Sequence, residues 1–556
     1  MSAFIQRLAD LNPDPAGRRW LFVPYDQLSA DLGPLSREPA EELGIVVVET
    51  TWKGRRRRYH KQKLALILAN LRHFALEQAE RGVAVRHVAG EASYGELLRP
   101  LARELGGLQM MEAAERELRV DLAPLVEEGL LEVLPHEGWL TDHADFVQGA
   151  GEDPPWRMDA FYRQVRGRTG ILMDDGSPVG GKYSFDAENR KPWKGDPPAA
   201  EEPTFPLDPI KEEVLALVEE TFPDHPGTLR PEYLPATAAD AEALWQWARE
   251  ACLPTFGPYE DAMSTRSRTL FHTRIAHLLN LHRLLPRRVV GEAEAMDIPL
   301  AGKEGFIRQI LGWREFVRHV HRTTDGFREL APEYGGEAEG SKAVRNGGDA
   351  EDEGATEGEG GANPSVLGAR HPLPAAWWGT PSGMRCLDEV VEGVWEEGYG
   401  HHITRLMILS NLATLLDISP RELTDWFWVA YTDAYDWVVE PNVLGMGTFA
   451  VGELMTTKPY VSGTPYIRKM SDYCDGCALD PDRSCPISDL YWAFLARHEE
   501  ALKGNRRMSL PLGSMRRRSA GKKEADRRVF EAVRGALDRG EAVTAARVER
   551  ARDGSD

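Results

Sequence analysis

Cys474-Asp-Gly-Cys477 is a C-x-x-C pair, and Cys485 follows after a seven-residue gap with Pro486 directly behind it. Cys386 stands far upstream, just past Trp377-Trp378. Thiolates are soft ligands that suit iron–sulfur clusters and zinc alike. A C-x-x-C pair with a later Cys-Pro fits the runs that hold iron–sulfur clusters. On spacing alone three readings stay open: an iron–sulfur cluster, a structural zinc, and cysteines that pack in a helical core. Cys252 stands apart from these four. Five cysteines in 556 residues make no disulfide scaffold, and in a reducing compartment the group of four reads as metal binding.

A second pattern, Gly445-Met-Gly447-Thr-Phe-Ala450, has the form G-x-G-x-x-A. The dinucleotide fingerprint needs a strand before it and a helix after. Here the preceding segment is helical and rich in Trp and Tyr, so no Rossmann site is assigned to it.

The elements that must position these residues fall into two halves. Residues 1–150 read as an α/β domain with a parallel, Rossmann-like sheet. Trp20 to Pro24, Gly44 to Val48, Val83 to Val88 and Leu130 to Leu134 are strand candidates, and Lys63 to Glu80 has helical spacing. Residues 151–236 are rich in Pro and Gly and read as an interdomain linker on the surface. Residues 237–515 are dominated by helical patterns, including Thr269 to Leu285, Lys303 to Arg322, Cys386 to Leu416 and Arg421 to Trp437. Within them, 335–363 is an acidic, aromatic-free insertion expected to be disordered. Residues 516–556 read as a charged C-terminal tail.

The formal net charge of −21 argues against a generally basic nucleic-acid binder and leaves room for a local basic groove. Arg506-Arg507, Arg516-Arg517-Arg518 and Lys522-Lys523 are candidate phosphate contacts. No apolar run approaches the roughly 18 residues a membrane span needs. No secretory signal opens the chain, so a cytoplasmic monomer is the expectation.

Several motifs, taken in order, resemble the photolyase/cryptochrome family. Glu304 to Phe316, with Arg308-Gln309 and Gly312-Trp313-Arg314-Glu315, is similar to its flavin-domain signature. His401-His402-Ile-Thr-Arg405 resembles the paired-histidine segment of (6-4) photolyases. Asp433 to Asn442, Lys458-Pro-Tyr460, Met470 to Cys474, Asp489 to Leu495 and Pro178 to Arg190 match the same group. The likeness runs from about residue 18 to 510 and is strongest to the iron–sulfur bacterial cryptochromes and photolyases.

That resemblance implies an α/β domain, a linker and an all-helical domain holding FAD. It implies a [4Fe–4S] cluster on Cys386, Cys474, Cys477 and Cys485, although the gap before Cys485 is shorter than is usual in the family. It also implies light-driven electron transfer to damaged DNA, with repair of (6-4) pyrimidine photoproducts as the first reading. A signalling photoreceptor with the same cofactors is the alternative. His402 is the expected proton donor, with His401 beside it. Leu406 stands where eukaryotic (6-4) enzymes carry a further histidine. Arg405, one helical turn on from His402, is expected at the flavin. So are Gln309, Arg314, Asp433 and Asn442, with His272 and Thr273 on the phosphate side. Trp378 and Trp426 match electron-transfer tryptophans, and Phe427 replaces a frequent tyrosine. Relatives bind a lumazine-type antenna in the first domain. Here Tyr25-Asp26-Gln27-Leu28 puts a ring where they have glycine, and Lys53 and Arg56 replace an acidic residue and a tyrosine. A changed or absent antenna is therefore expected.

Overall fold

The computed structural model describes residues 2–336 and 361–554. Most of the 335–363 insertion therefore lies outside the described residues. Five parallel strands form the first domain: β1 (Arg19–Phe22), β2 (Leu43–Thr50), β3 (Ala84–Gly90), β4 (Leu108–Met111) and β5 (Leu131–Leu134). Their order is β3-β2-β1-β4-β5, a doubly wound arrangement. The long apolar run of β2 is buried almost end to end, as a central parallel strand with both faces covered requires. Register pairs Trp20 with Gly44. A Cβ on Gly44 would lie 2.6 Å from the Trp20 ring, so only glycine fits there. Strand β4 was not expected: four residues with only two buried give little periodic signal.

The helix Lys61–Glu80 packs on the sheet and also joins the two domains. Lys63 is buried, and its Nζ donates to the Trp428 and Ala434 carbonyls at 2.9 and 2.5 Å. Burial and the cations around it push its pKa well down. His60 donates its backbone N–H to Val429, and Leu28 does the same to Leu281.

Between the domains, the segment read as a bare linker contains two helices, Met158–Thr169 and Pro209–Thr221. Phe161, Tyr162 and Val165 bury one face of the first, and Ile210, Val214 and Val218 one face of the second. The surrounding prolines and glycines masked these short periods.

The rest of the described chain is helical, but three long helices expected from spacing are interrupted. Thr269 to Leu285 contains only the short helix Ala276–Asn280. Leu270, Arg274 and His282 have φ of 48°, 53° and 56°, which no right-handed helix allows. The helix Arg385–Glu397 ends at Gly398, whose φ of 62° gives a left-handed cap. The helix Pro420–Ala430 stops before extended Tyr431, and Asp436–Glu440 restarts after it. Gly445 and Gly447 lie in helical turns, where added Cβ atoms would meet Met455 and Ser410. They serve close packing.

Residues 516–554 are no loose tail. Helix Ala520–Asp538 buries Val529, Phe530, Val533 and Leu537, and helix Ala545–Asp553 buries Val548. Dense charge on the outer faces hid this apolar stripe. No helix among the described residues is long and apolar enough to cross a membrane.

Candidate active site

A cavity of about 310 Å³ opens in the helical domain, within the range of small-molecule sites. His272, Thr273, Gln309, Arg314 and Arg405 line it. So do His401, His402, Asp433 and Asn442. Residues scattered over 171 positions of sequence thus share one wall system, with Phe427 among them.

Irregular backbone aims many of these side chains. Gln309 and Arg314 lie in the π-helical stretch Arg308–Arg314, Arg405 heads Arg405–Ser410, and Asn442 lies in Pro441–Gly447. Such widened turns recur at functional sites because they rotate side chains off the α-helical track. His272 and Thr273 sit between the left-handed Leu270 and Arg274, a conformation that costs energy and persists only where packing holds it.

Arg405 makes a bidentate pair with Asp433, both contacts at 3.0 Å, and its Nε donates to the Gly400 carbonyl at 2.6 Å. Its guanidinium lies 4.0 Å from the centre of the Tyr431 ring. Asn442 Nδ2 donates to Val438 O at 2.8 Å. Gln309 Nε2 donates to Glu260 at 2.9 Å, and the other Glu260 oxygen accepts from Asn189 at 3.0 Å. Sequence reading missed Glu260, which no local motif marks. Through it the Pro178 to Arg190 segment is tied to the cavity wall.

Arg314 is buried between aromatic rings, 4.1 Å from Trp139 and 5.3 Å from Trp437. Its Nη2 donates to Leu279 O at 3.1 Å, while Nε and Nη1 have no hydrogen-bond partner among the described residues. Burial pushes its pKa down to about 10. His272 and His401 stack with centroids 4.3 Å apart, and His272 Nε2 and His401 Nδ1 are likewise unsatisfied. Burial holds both imidazoles below their ordinary range, His272 at about 3. Buried polar atoms without partners are costly. Their convergence on an aromatic cavity fits a flat, anionic, hydrogen-bonding cofactor such as FAD.

His402 is recessed in the protein but open to solvent through the cavity. Desolvation, then Arg405 and Arg308, push its pKa down to about 4. Further cations stand on this side. Arg308 lies 3.7 Å from Asp186, which also pairs with Arg190. Lys458 is pushed down by burial and then by Arg507 and Arg190. Such crowding of like charges suits an anion. Of the basic runs, Arg506 and Arg507 are exposed, whereas Arg516 pairs with Glu499 and Arg518 with Asp526.

The four cysteines come from one helix and one loop. Cys386 is in the first turn of helix Arg385–Glu397, Cys474 and Cys477 follow helix Thr464–Met470, and Cys485 precedes helix Ile487–Arg497. Burial, then Cys485, Cys474 and Cys477, raise the Cys386 thiol well above its ordinary value. The four thiols are thus within electrostatic reach of one another. Thr464 Oγ1 and the Leu479 N–H each donate to a cysteine sulfur, Cys485 and Cys477, at 3.4 Å. Arg552 of the C-terminal helix holds the Cys485 carbonyl at 3.0 Å. Among the described residues no three or more His, Cys, Asp or Glu side chains are gathered closely enough to hold a single metal ion. Cys252 lies elsewhere, with its thiol donating to His272 O at 3.7 Å.

Trp426 is buried and Trp378 is 50% exposed. Their rings are joined by Trp395, which the sequence reading did not single out. Trp378 stacks on Trp395 at 5.4 Å, and Trp395 meets Trp426 edge-on at 5.8 Å.

In the first domain a second cavity, of about 540 Å³, is lined by Tyr25, Lys53, Tyr94 and Tyr435. Lys53 Nζ donates to Tyr25 Oη at 2.6 Å, and both are bonded to Glu115. Tyr25 and Lys53 are thus engaged with each other, while Arg56 packs over the Trp52 ring.

Residues 21–233 match the family model of the deoxyribodipyrimidine photo-lyase-related protein. The chain is 33% identical over 512 residues to a (6-4) photolyase of Agrobacterium fabrum, covering 89% of this chain and 94% of that one. It is also 35% identical over 104 residues to an uncharacterized protein of Acanthamoeba polyphaga mimivirus, covering 19% of this chain and 81% of that one. Among solved structures, a bacterial class III photolyase from Agrobacterium tumefaciens superimposes with a TM-score of 0.54 at 15% identity, covering 95% of this chain and 99% of that one. A Synechocystis cryptochrome gives 0.55 at 15%, covering 96% and 98%. With the sheet order, the helical cavity and a third of residues shared along nearly the whole length of a photolyase, this chain belongs to the photolyase/cryptochrome family, in its photolyase-related branch.

Proposed function

We propose that this protein is a DNA photolyase that repairs (6-4) pyrimidine photoproducts under blue light, with FAD in the helical cavity. The observation that carries the reading is His402, facing that cavity beside Arg405 and the underpaired Arg314. When bound and reduced, FAD supplies the light-driven electron that the lesion accepts and returns; this chemistry is the cofactor's.

The protein's own residues do the rest. Arg405 is clamped by Asp433 and presents a fixed cation, and Arg314, whose Nη1 lies 3.6 Å from Glu315, keeps its Nε without a hydrogen-bond partner for an anionic group. Gln309, Asn442, His272 and Thr273 complete the walls. The lesion leaves the duplex to reach the cavity, at a cost of roughly a few kcal/mol that is least where pairing is already broken. Arg190, Arg308, Lys458 and Arg507 receive its phosphates. Those phosphates also offset the cations that hold His402 down, so the imidazole gains a proton as the lesion docks. His402 then gives that proton to the oxygen transferred between the pyrimidines, with His401 behind it.

Cys386, Cys474, Cys477 and Cys485 would hold a [4Fe–4S] cluster. Four mutually close thiols are unfavourable as free thiolates and favourable as ligands.

The test is a defined (6-4) lesion in an oligonucleotide, incubated with reduced protein under blue light. Restored pyrimidines support the reading. FAD-loaded protein that leaves the lesion intact points to the photoreceptor alternative.

A further inference from the structure

Cys485 sits at the end of a short loop, and Pro486 behind it has no N–H to close the turn. Inside the loop Asp480 gathers the backbone N–H groups. Its carbonyl accepts from Ser484 and Cys485 at 2.9 and 2.8 Å, and its Oδ1 accepts from Asp482 and Arg483 at 2.8 and 3.0 Å. Two carbonyls of the same stretch are held from outside, by one side chain. Arg552, in the last turn of helix Ala545–Asp553, donates Nη1 to Arg483 O and Nη2 to Cys485 O, the latter at 3.0 Å. Its Nε and Nη2 also bond the two carboxylate oxygens of Asp489. Asp489 lies in the first turn of helix Ile487–Arg497. One planar fork thus ties the loop that carries Cys485 to the helix that follows it, a geometry open to arginine and closed to lysine.

Arg552 is itself anchored. Arg528 on helix Ala520–Asp538 donates Nε to Ala551 O at 2.8 Å and Nη2 to Arg552 O at 2.7 Å. That helix buries Val529, Phe530 and Val533, and the Phe530 ring lies 3.6 Å beneath the Arg497 guanidinium of helix Ile487–Arg497. The two last helices therefore form a brace on the helix behind Cys485.

We infer that Arg552 is a positioning residue for Cys485 as a ligand of the iron–sulfur cluster, and that the two last helices are the brace that carries it. The inference rests on the cluster reading above.

Geometry and charge both support this role. The Cys485 main chain is fixed by the Arg552 fork, and its sulfur accepts from Thr464 Oγ1 at 3.4 Å. Thr464 in turn donates its backbone N–H to Ser488 Oγ at 3.2 Å, in the same first turn as Asp489. Outer partners of this kind orient a ligand and hold the metal through it. The ligating form of cysteine is the thiolate. Asp489 is near enough to oppose negative charge on the Cys485 sulfur, and Arg552, bonded to both oxygens of Asp489, offsets that opposition. The other three cysteines lack such a clamp from the last helix: Cys386 sits in the first turn of its own helix, and Cys477 closes a turn on Cys474 O at 3.2 Å.

The experiment compares wild type, Arg552→Gln, Arg552→Lys and Arg518→Ala, each full length and purified without oxygen. Iron and acid-labile sulfide are measured first. Wild type lacking both overturns the cluster reading and the inference with it; wild type holding both leaves the variants to decide the inference alone. Iron release to a ferrous chelator is then followed through the colour of the chelate. Arg552→Gln should release iron about tenfold faster or more, with the flavin spectrum unchanged. Arg518→Ala breaks a bidentate pair in the same helices without touching the loop, and should release iron at the wild-type rate. A wild-type rate in Arg552→Gln, or equal acceleration in Arg518→Ala, overturns the positioning role.

Redox titration of the cluster adds a readout that loosening of the fold does not move in the same way. Without the cation, Asp489 is uncompensated and disfavours an added electron, so the midpoint of Arg552→Gln should fall below that of wild type. Arg552→Lys keeps the charge without the fork. It should recover the midpoint and still release iron fast; a midpoint that stays low in Arg552→Lys overturns the charge role. Should the Arg552 variants fail to fold, Asp489→Asn tests the same pair from its other member. Its midpoint should rise, and one that is unchanged or lower overturns the inference.

Discussion

Arg405 and Asp433 face each other in a two-point ion pair, both N–O distances 3.0 Å, in the wall of the cavity that Gln309 also lines. Both side chains are largely buried. Asp433→Ala removes both acceptors and strands the guanidinium. Breaking a buried pair from one side costs about 3 to 5 kcal/mol. The expected result is a lower urea midpoint for the flavin-free protein and weaker retention of FAD on gel filtration. An unchanged midpoint with full flavin would show that the pair neither braces the fold nor holds the cofactor.

Desolvation, then Arg405 and Arg308, push the His402 pKa down to about 4. A proton donor must be charged, so repair should decline as pH rises through the pKa that His402 acquires in the lesion complex. His402→Ala should cost roughly 10²-fold or more in repair, the scale of general acid catalysis, with FAD content intact. It should also flatten the pH profile. A variant with the wild-type profile would place the proton elsewhere.

How far this site was legible in the sequence depends on what holds each residue. The β2 strand and the Lys61–Glu80 helix announce themselves through burial period. The nine cavity residues were found through ordered motifs, and their side chains do line one cavity. What spacing could not foretell is the irregular backbone that aims them. A run such as Leu270 to Arg274 looks helical until two residues turn left-handed to seat His272 and Thr273. Glu260 and Trp395 were missed because their partners, Gln309, Asn189 and the two other tryptophans, are remote in sequence. The C-terminal helices were hidden by charge, since only one narrow face of each is apolar.

Cys386→Ser, Cys474→Ser and Cys485→Ser should each lower iron and acid-labile sulfide in the purified protein by most of their wild-type content. Cys252→Ser should leave both unchanged, because its thiol sits against His272, away from the other four. Elemental analysis with a visible spectrum checks this. Full iron in Cys386→Ser would break the assigned ligand set. Zinc in place of iron would restore the structural-zinc reading.

Several histidines outside the cavity are buried in neutral form. Burial pushes His60 to about 4, His282 to about 3 and His319 to about 2. In the unfolded chain each titrates near 6.5. Between these values the unfolded state binds protons that the folded state refuses. Stability from these groups is therefore full above about pH 6.5 and is lost as pH falls, by roughly 1.4 kcal/mol per pH unit for each histidine. Chemical denaturation from pH 7.5 downward should show the midpoint falling below about pH 6.5, before most carboxylates titrate. His319→Gln should reduce the slope. A midpoint flat to pH 5 would mean that these imidazoles accept protons in place.

Lys458 and Arg507 crowd each other beside Arg190, on the side of the cavity where His402 lies. Arg190 is already paired with Asp186, so Lys458 and Arg507 are the cations left to an arriving phosphate, which releases counterions from DNA. Each such contact contributes about 0.9 to the slope of log affinity against log salt. Arg507→Ala and Lys458→Ala should each weaken binding to lesion-bearing duplex and reduce that slope by about 1, independent of flanking sequence. Arg518 makes the contrast. Its guanidinium is already bidentate to Asp526, at 2.9 and 2.7 Å, and covers the Trp492 ring. Arg518→Ala should therefore lower thermal stability and leave the slope as it was. Fluorescence anisotropy across a salt series distinguishes the two behaviours. A slope that responds to Arg518 and not to Arg507 would move the DNA path from the cavity mouth to the C-terminal helices.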